Sequence, residues 1–376
     1  MKIGFDAKRA FQNFTGLGNY SRFVIKALAQ NKAQNQYILY APKAVENPRT
    51  AFLFYFKNVV IKTAPIKWMK SYWRSKGVIK DLFADQVELY HGLSHEIPAG
   101  LQQKGIKSVV TIHDLIYLRY PQFFKYIDRK IYDYKFRAAC KNADQIIAIS
   151  EQTKRDIIKY FGTKANKITV VYQGCDEVFY QSASADVKNT VIEKYNLPKQ
   201  YLLCVGTVEE RKNQLLILKA LVKLPENISL VLVGKKTDYV KQLNQFLTEN
   251  KLENRVQFLP DVPFSDLPAI YQLAKIFVFP SRFEGFGIPI LEALNSEIPV
   301  VAAKGSCLEE AGGPNSIYIS PDDEQELATA ILKVWNDENL AQQMVMKGKE
   351  YALNFKAEKI ANDLMEVYQK TKFANV

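Results

Sequence analysis

The chain has 376 residues, 48% apolar and 24% charged, an ordinary balance for a folded protein and enough length for two domains. Its four cysteines, Cys140, Cys175, Cys204 and Cys307, lie far apart with no CxxC pair, which excludes a disulfide scaffold and points to a reducing cytoplasm. No apolar run reaches the length of a membrane-spanning helix, and the start, MKIGFDAKRA, is too short and too charged for a signal-peptide core. The net charge of +12 is unevenly spread: residues 1–180 hold 29 Lys+Arg against 14 Asp+Glu, and residues 181–376 hold 22 against 25. The excess of the first half calls for an anionic partner, whether a membrane surface, a nucleic acid or an acidic substrate.

In chain order, short β-branched and aromatic runs read as buried strands: IGF near Ile3, Tyr37–Tyr40, Val59–Lys62, Val87–His91, Ser108–Asp114, Gln145–Ser150 and Ile168–Gly174. Amphipathic stretches such as YSRFVIKALAQ separate them, and such alternation predicts a parallel sheet with helices on both faces. Residues 181–200, small and polar with a Pro, predict a linker. A second strand set follows: Tyr201–Thr207, Ser229–Gly234, Val256–Pro260, Ile276–Ser281, Val300–Ala303 and Ser316–Ser320. The expected organisation is an α/β pair of doubly wound domains, 1–180 and 181–355. A C-terminal helix at about 356–376 is expected to pack back onto the first domain. Ligands of open parallel sheets gather at the carboxyl ends of strands, so the loops after the strands are the places to look.

The first such loop is TGLGNYSR. Gly16 and Gly18 permit a close turn, but Gly16-x-Gly18-x-x-Ser21 falls short of the dinucleotide fingerprint, and no acidic residue ends the second strand. His91 and His113 each end a strand, in YHGLSHEIP and TIHD; a lone histidine is more often a satisfied structural residue. His95 earns no functional assignment.

After the eighth strand comes CVGTVEERKNQLLILKAL. Arg211 and Lys212 sit beside a helix start, where cations are disfavoured unless an anion neutralises them. Arginine grips phosphate oxygens with two prongs and lysine adds a point charge. The plainer alternative is a solvated basic turn.

The most informative segment is PSRFEGFGIPILEAL, Pro280 to Leu294. Gly285 and Gly287 let the backbone lie against a ligand, and Pro289 suits the first helical turn. A helix start entered through glycines offers N–H groups and a positive dipole end to a diphosphate. Glu284 and Glu292 stand eight residues apart, and carboxylates accept hydrogen bonds from sugar hydroxyls. By itself this string also reads as a strand–helix turn with a surface and a capping glutamate.

E-G-F-G-x-P-x-L-E closely resembles the E-x7-E signature of retaining glycosyltransferases of family 4 (group 1 glycosyltransferases, GT-B fold of two Rossmann-like domains facing across a cleft). The resemblance extends over nearly the whole chain. It implies that Glu284 contacts the transferred hexose, that the backbone of Gly285, Phe286, Gly287 and Ile288 and the helix start before Leu291 hold sugar and phosphate, and that Glu292 binds the donor ribose. It makes Gly206, Arg211 and Lys212 the diphosphate clamp; many members carry Arg directly after the glycine, where this chain has Thr207. It brings the Gly16–Gly18 loop towards the donor phosphates, gives His113 a donor hydroxyl, and places His91 and Asn19 on the acceptor side.

The chain has no zinc spacing, no H-E-x-x-H and no D-x-D. No cofactor or metal is therefore expected, only a nucleotide-diphosphate sugar as co-substrate. The expected reaction is retaining transfer of a mannosyl- or glucosyl-type hexose to a glycan or lipid-linked glycan in polysaccharide or glycolipid biosynthesis, by front-side attack. IKWMKSYWRSK, Ile66 to Lys76, interleaves aromatics with cations and suggests a peripheral contact with the inner membrane face. Its alternative is a basic helix with its aromatics packed inward. The competing functions are another enzyme on the same scaffold, such as a sugar-nucleotide epimerase or a phosphorylase, and a nucleic-acid-binding protein. No signature for nucleic acid accompanies the charge, so no such partner is expected.

Overall fold

The structure, a computed structural model, describes residues 1–65 and 67–373. It divides into two compact units, Met1–Gly174 with the chain from Phe355 onward, and Cys175–Asn354.

The first unit contains a seven-stranded sheet: β1 (Lys2–Asp6), β2 (Gln36–Ala41), β3 (Val59–Thr63), β4 (Leu89–Gly92), β5 (Lys107–Ile112), β6 (Gln145–Ala148) and β7 (Ile168–Val170). Its order is 3-2-1-4-5-6-7, and every pairing is parallel. Helices cover both faces, so strand residues such as Phe5, Leu39, Val110 and Ile147 are fully buried. The helix Ala357–Phe373 belongs to this unit and packs against the helix Gly16–Asn31 and β5.

The second unit holds β8 (Tyr201–Val205), β9 (Ser229–Val233), β10 (Val256–Leu259), β11 (Ile276–Phe279), β12 (Val300–Ala303) and β13 (Ile317–Ile319), again all parallel, in the order 10-9-8-11-12-13. Each sheet thus has a switch point, between β1 and β4 and between β8 and β11. There successive connections leave in opposite directions and open a crevice at the carboxyl edge.

Two expectations change. Residues 181–200 are not an extended linker: Ala185–Tyr195 is a helix, with the Ser184 hydroxyl accepting from the Val187 N–H and Asn196 in the left-handed conformation at its end. The small polar residues that look like linker are its caps. The basic–aromatic stretch is helical but not regular: beyond Ile66, which lies outside the described residues, a tight turn Lys67–Met69 leads through Lys70–Tyr72 and a wider turn Trp73–Gly77 straight into the helix Val78–Ala84. Trp73 is buried and donates to Asp81 at 2.6 Å, while Arg74 pairs with Asp6 and with Glu96 (2.7 Å). Part of this composition is therefore internal structure.

Candidate active site

In the second unit the switch point lies between β8 and β11, where Leu202 pairs with Ile276. Two loops meet there. Gly206 leaves β8 at φ +147°, a conformation strained for other residues, and a Cβ on it would lie 3.5 Å from the Lys212 side chain. Gly234, after β9, approaches closer still, since a Cβ there would stand 2.1 Å from the Gly206 carbonyl oxygen. A one-turn helix, Glu210–Lys212, then presents Arg211 and Lys212. Asn213 ends that turn at φ +60°, and its amide donates to the carbonyls of Pro280 (3.1 Å) and Pro321 (2.8 Å), fastening this loop to the one after β11.

The anion that justifies two cations at this helix start is Glu284. Its Oε1 lies 2.6 Å from Lys212 Nζ and its Oε2 2.9 Å from Arg211 Nη1. The Ser281 hydroxyl donates to Oε1 at 2.6 Å. Burial alone would raise the Glu284 pKa, but the charges of Arg211 and Lys212 outweigh it and hold the carboxyl at about 2. Arg211 also donates to the Phe283 carbonyl (2.7 Å) and pairs with Glu209 at 2.6 Å. Lys212 stands 5.0 Å over the Phe279 ring. Two cations and two carboxylates thus balance in the protein alone.

Gly287, at φ +127°, turns the chain into the helix Ile288–Asn295, with Pro289 in its first turn. The side chains of Phe286 and Leu291 are buried. The Cys307 thiol donates to the carbonyls of Glu284 (3.0 Å) and Phe286 (3.1 Å) and pins the loop from behind. Glu292 is buried one turn into the helix, where the Tyr271 hydroxyl donates to its Oε2 at 2.8 Å. Gly234, Asn213, Tyr271 and Cys307 had no signal in the sequence as site residues; they act through contacts between segments far apart in the chain.

In the first unit, Gly18 cannot be replaced without movement: a Cβ there would lie 1.7 Å from the Asn13 carbonyl oxygen. Gly16 meets nothing within 4 Å. Asn13 Oδ1 organises the turn by accepting from the backbone N–H groups of Thr15 (2.9 Å) and Gly18 (3.1 Å). Asn19 directs its amide oxygen to Arg22 (2.6 Å) and Arg49 (2.9 Å).

His113 follows β5, and its Nε2 donates to the Leu93 carbonyl at 2.8 Å. Burial lowers its pKa to about 4, with the Leu93 contact opposing and the Arg9 charge assisting. The ring is therefore neutral at physiological pH, and Nδ1 carries the lone pair, able to accept from a hydroxyl. His91 has an internal arrangement: fully buried, it hydrogen-bonds the Tyr368 hydroxyl through Nδ1 (2.7 Å) and Thr111 through Nε2 (2.8 Å). His95 stacks on Phe136 with ring centroids 4.1 Å apart and sits 5.1 Å from the His113 ring. Among the described residues, no group of three or more His, Cys, Asp or Glu is placed to hold a metal ion.

Two family patterns match the chain. "Glycosyl transferases group 1" covers residues 187–351, and "Glycosyltransferase Family 4" covers residues 14–179. O-antigen chain mannosyltransferase B of Escherichia coli is 28% identical over 291 residues, spanning 75% of this chain and 74% of that protein. O-antigen chain mannosyltransferase RfbU of Salmonella typhimurium is also 28% identical, over 74% of each chain. HepE of Anabaena, solved with UDP and glucose, superposes with a TM-score of 0.76 at 21% identity, covering 98% of this chain and 100% of its own. That likeness establishes the GT-B fold.

Proposed function

The chain belongs to the group 1 glycosyltransferases and is a hexosyltransferase, and on that premise we propose that it transfers a mannosyl- or glucosyl-type hexose, with retention, from a nucleoside-diphosphate sugar to a glycan or lipid-linked glycan. The observation that carries the donor side is the arrangement of Arg211 and Lys212 around Glu284, beside the glycine-entered N-terminus of Ile288–Asn295. The mannosyltransferase relatives favour a mannosyl donor, and their O-antigen role favours a polysaccharide-building reaction. Neither an epimerase nor a nucleic-acid-binding role gains any comparable support.

In this reading the donor diphosphate lies between the two cations and the helix N-terminus, whose charges stabilise it as it departs. No metal is needed for that task. Glu292 accepts from the ribose hydroxyls and Glu284 from a hexose hydroxyl. In the first unit, the neutral His113 ring is able to accept from a hydroxyl through Nδ1. The C1–O bond to the diphosphate breaks as the acceptor oxygen bonds to C1 from the same face. The acceptor proton passes to a leaving phosphate oxygen.

A lipid-linked acceptor brings the enzyme to an anionic membrane surface in the cytoplasm. No helix among the described residues is long and apolar enough to cross a membrane, so the contact would be peripheral. Trp68, 84% exposed beside Lys70, supports such a contact within the Ile66–Lys76 stretch.

Thermal-shift screening against UDP-, GDP- and ADP-sugars identifies the donor. Lys212→Ala and Glu284→Ala are expected to abolish transfer from it while circular dichroism stays unchanged. Wild-type turnover by either variant would remove the site assignment.

A further inference from the structure

The helix Tyr126–Asn142 buries one face and leaves an apolar stripe on the other. Phe136, Ala139 and Cys140 pack inward against Val110, Ile112 and Ile146. On the opposite side Ile127 is 71% exposed, Ile131 45% and Tyr134 76%, with Tyr126 at 67% beside them. The spacing 127, 131, 134 is four and three residues, one row along a helix. Two isoleucines and a tyrosine in one such row, with a second tyrosine beside it, differ from the scattered apolar residues of an ordinary surface, and contiguous patches of this kind mark interaction sites.

Cations flank the row. Lys125 and Lys130 are exposed beside it, Lys130 standing 5.5 Å over the Tyr126 ring, and Lys135 and Arg137 follow. Arg137 is paired with Asp133 (2.9 Å) and Lys135 with Glu96 (3.2 Å). Glu96 also holds Arg74, which ties this helix to the segment carrying the exposed Trp68 and Tyr72. An outward row of Ile and Tyr flanked by Lys and Arg matches the chemistry of a bilayer interface: acyl chains take the isoleucines, the headgroup layer takes the tyrosines, and anionic lipid neutralises the cations.

We propose that the row Ile127–Ile131–Tyr134, with Tyr126, Lys125 and Lys130, is the surface by which this protein docks onto an anionic lipid bilayer. The charge selects this occupant over a second copy of the chain. Residues 125–141 carry six Lys+Arg against two Asp, so pairing two copies through this face would set like charges together. The proposal extends the membrane-surface reading above and assigns it to a helix that the sequence patterning did not single out. It is tested without turnover, so its outcome is separate from that of the donor-site assignment.

The experiment is co-sedimentation of the full chain with phosphatidylcholine vesicles, with and without phosphatidylglycerol, at low and high salt. The wild type is expected to bind only the phosphatidylglycerol-containing vesicles and to be released by salt. The triple variant Ile127→Ser, Ile131→Ser, Tyr134→Ser should lose at least about tenfold in binding. Lys125→Glu and Lys130→Glu should each lose roughly fivefold or more. All these side chains are solvent-exposed, and unchanged circular dichroism will show that the variants fold. Equal binding to both vesicle types, or wild-type binding by the triple variant, overturns the proposal. So does a concentration-dependent dimer in light scattering that the triple variant abolishes.

Discussion

Lys212 Nζ lies 2.6 Å from Glu284 Oε1, and this contact joins the loop after β8 to the loop after β11 across the sheet's switch point. With Arg211 it makes the site its own counter-ion system. In the proposed reading, a donor diphosphate entering between the cations would compete with Glu284 for them, and the freed carboxylate would turn to the sugar, which a bare nucleoside diphosphate lacks.

Glu284→Gln is therefore expected to tighten binding of the bare nucleoside diphosphate by about tenfold, or ~1.4 kcal/mol, while abolishing transfer. Isothermal titration calorimetry measures the affinity. Weaker binding by the variant would show that Glu284 organises the cations and does not compete for them.

The same ion pairs set an acid limit. The Glu284 pKa falls from 4.5 to about 2 on folding. A depressed carboxylate pKa contributes stability that is fully present above the unfolded value and lost as pH falls through the folded one, here between about pH 4.5 and 2. The contribution at neutral pH is about 3 kcal/mol. Denaturant unfolding from pH 7 to 3 should show wild type losing its advantage over Glu284→Gln as the pH falls through that window; a pH-independent gap would contradict the argument.

Gly16 and Gly18 separate sharply. Gly18→Ala drives a Cβ to 1.7 Å from a backbone oxygen and should destabilise the protein by more than about 2 kcal/mol. Gly16→Ala opens onto free space and should stay within about 0.5 kcal/mol of wild type. Thermal melts of the two variants decide this, and equal melting temperatures would be the contrary result.

His91 lies between Tyr368 and Thr111, and burial lowers its pKa to about 3, with the nearby His113 contributing. His91→Leu removes the partner of the buried Tyr368 hydroxyl and leaves Thr111 only its contact with the Tyr20 hydroxyl (3.0 Å), and should cost about 2 kcal/mol. The acceptor KM of the folded variant should match wild type, whereas His113→Ala should lower kcat. A raised acceptor KM in His91→Leu would restore a substrate contact for that ring.

The strands were legible because parallel sheets bury both faces, and that demand writes continuous apolar runs such as LVLV and FVF. Strand ends were less so: Ile168–Gly174 shortens to β7, since pairing with β6 stops at Val170. The Ala185–Tyr195 helix was missed because capping and linker residues are the same residue types. On the candidate site, glycines, cations and carboxylates are visible as motifs. The thiol of Cys307 and the hydroxyl of Tyr271 are not, because each acts on a backbone or carboxylate distant in sequence.

The local pattern of the chain alone determined that two parallel α/β domains form and that the loops around Arg211 and Glu284 hold charge beside a helix start. Tertiary structure decided how that charge is spent. It paired Lys212 and Arg211 with Glu284, turned His91 inward, and left Ile127, Ile131 and Tyr134 facing solvent. The reason is physical: backbone hydrogen bonding and hydrophobic periodicity are local and recur along the chain, whereas an ion pair or an exposed face depends on which distant segments the sheet order brings together.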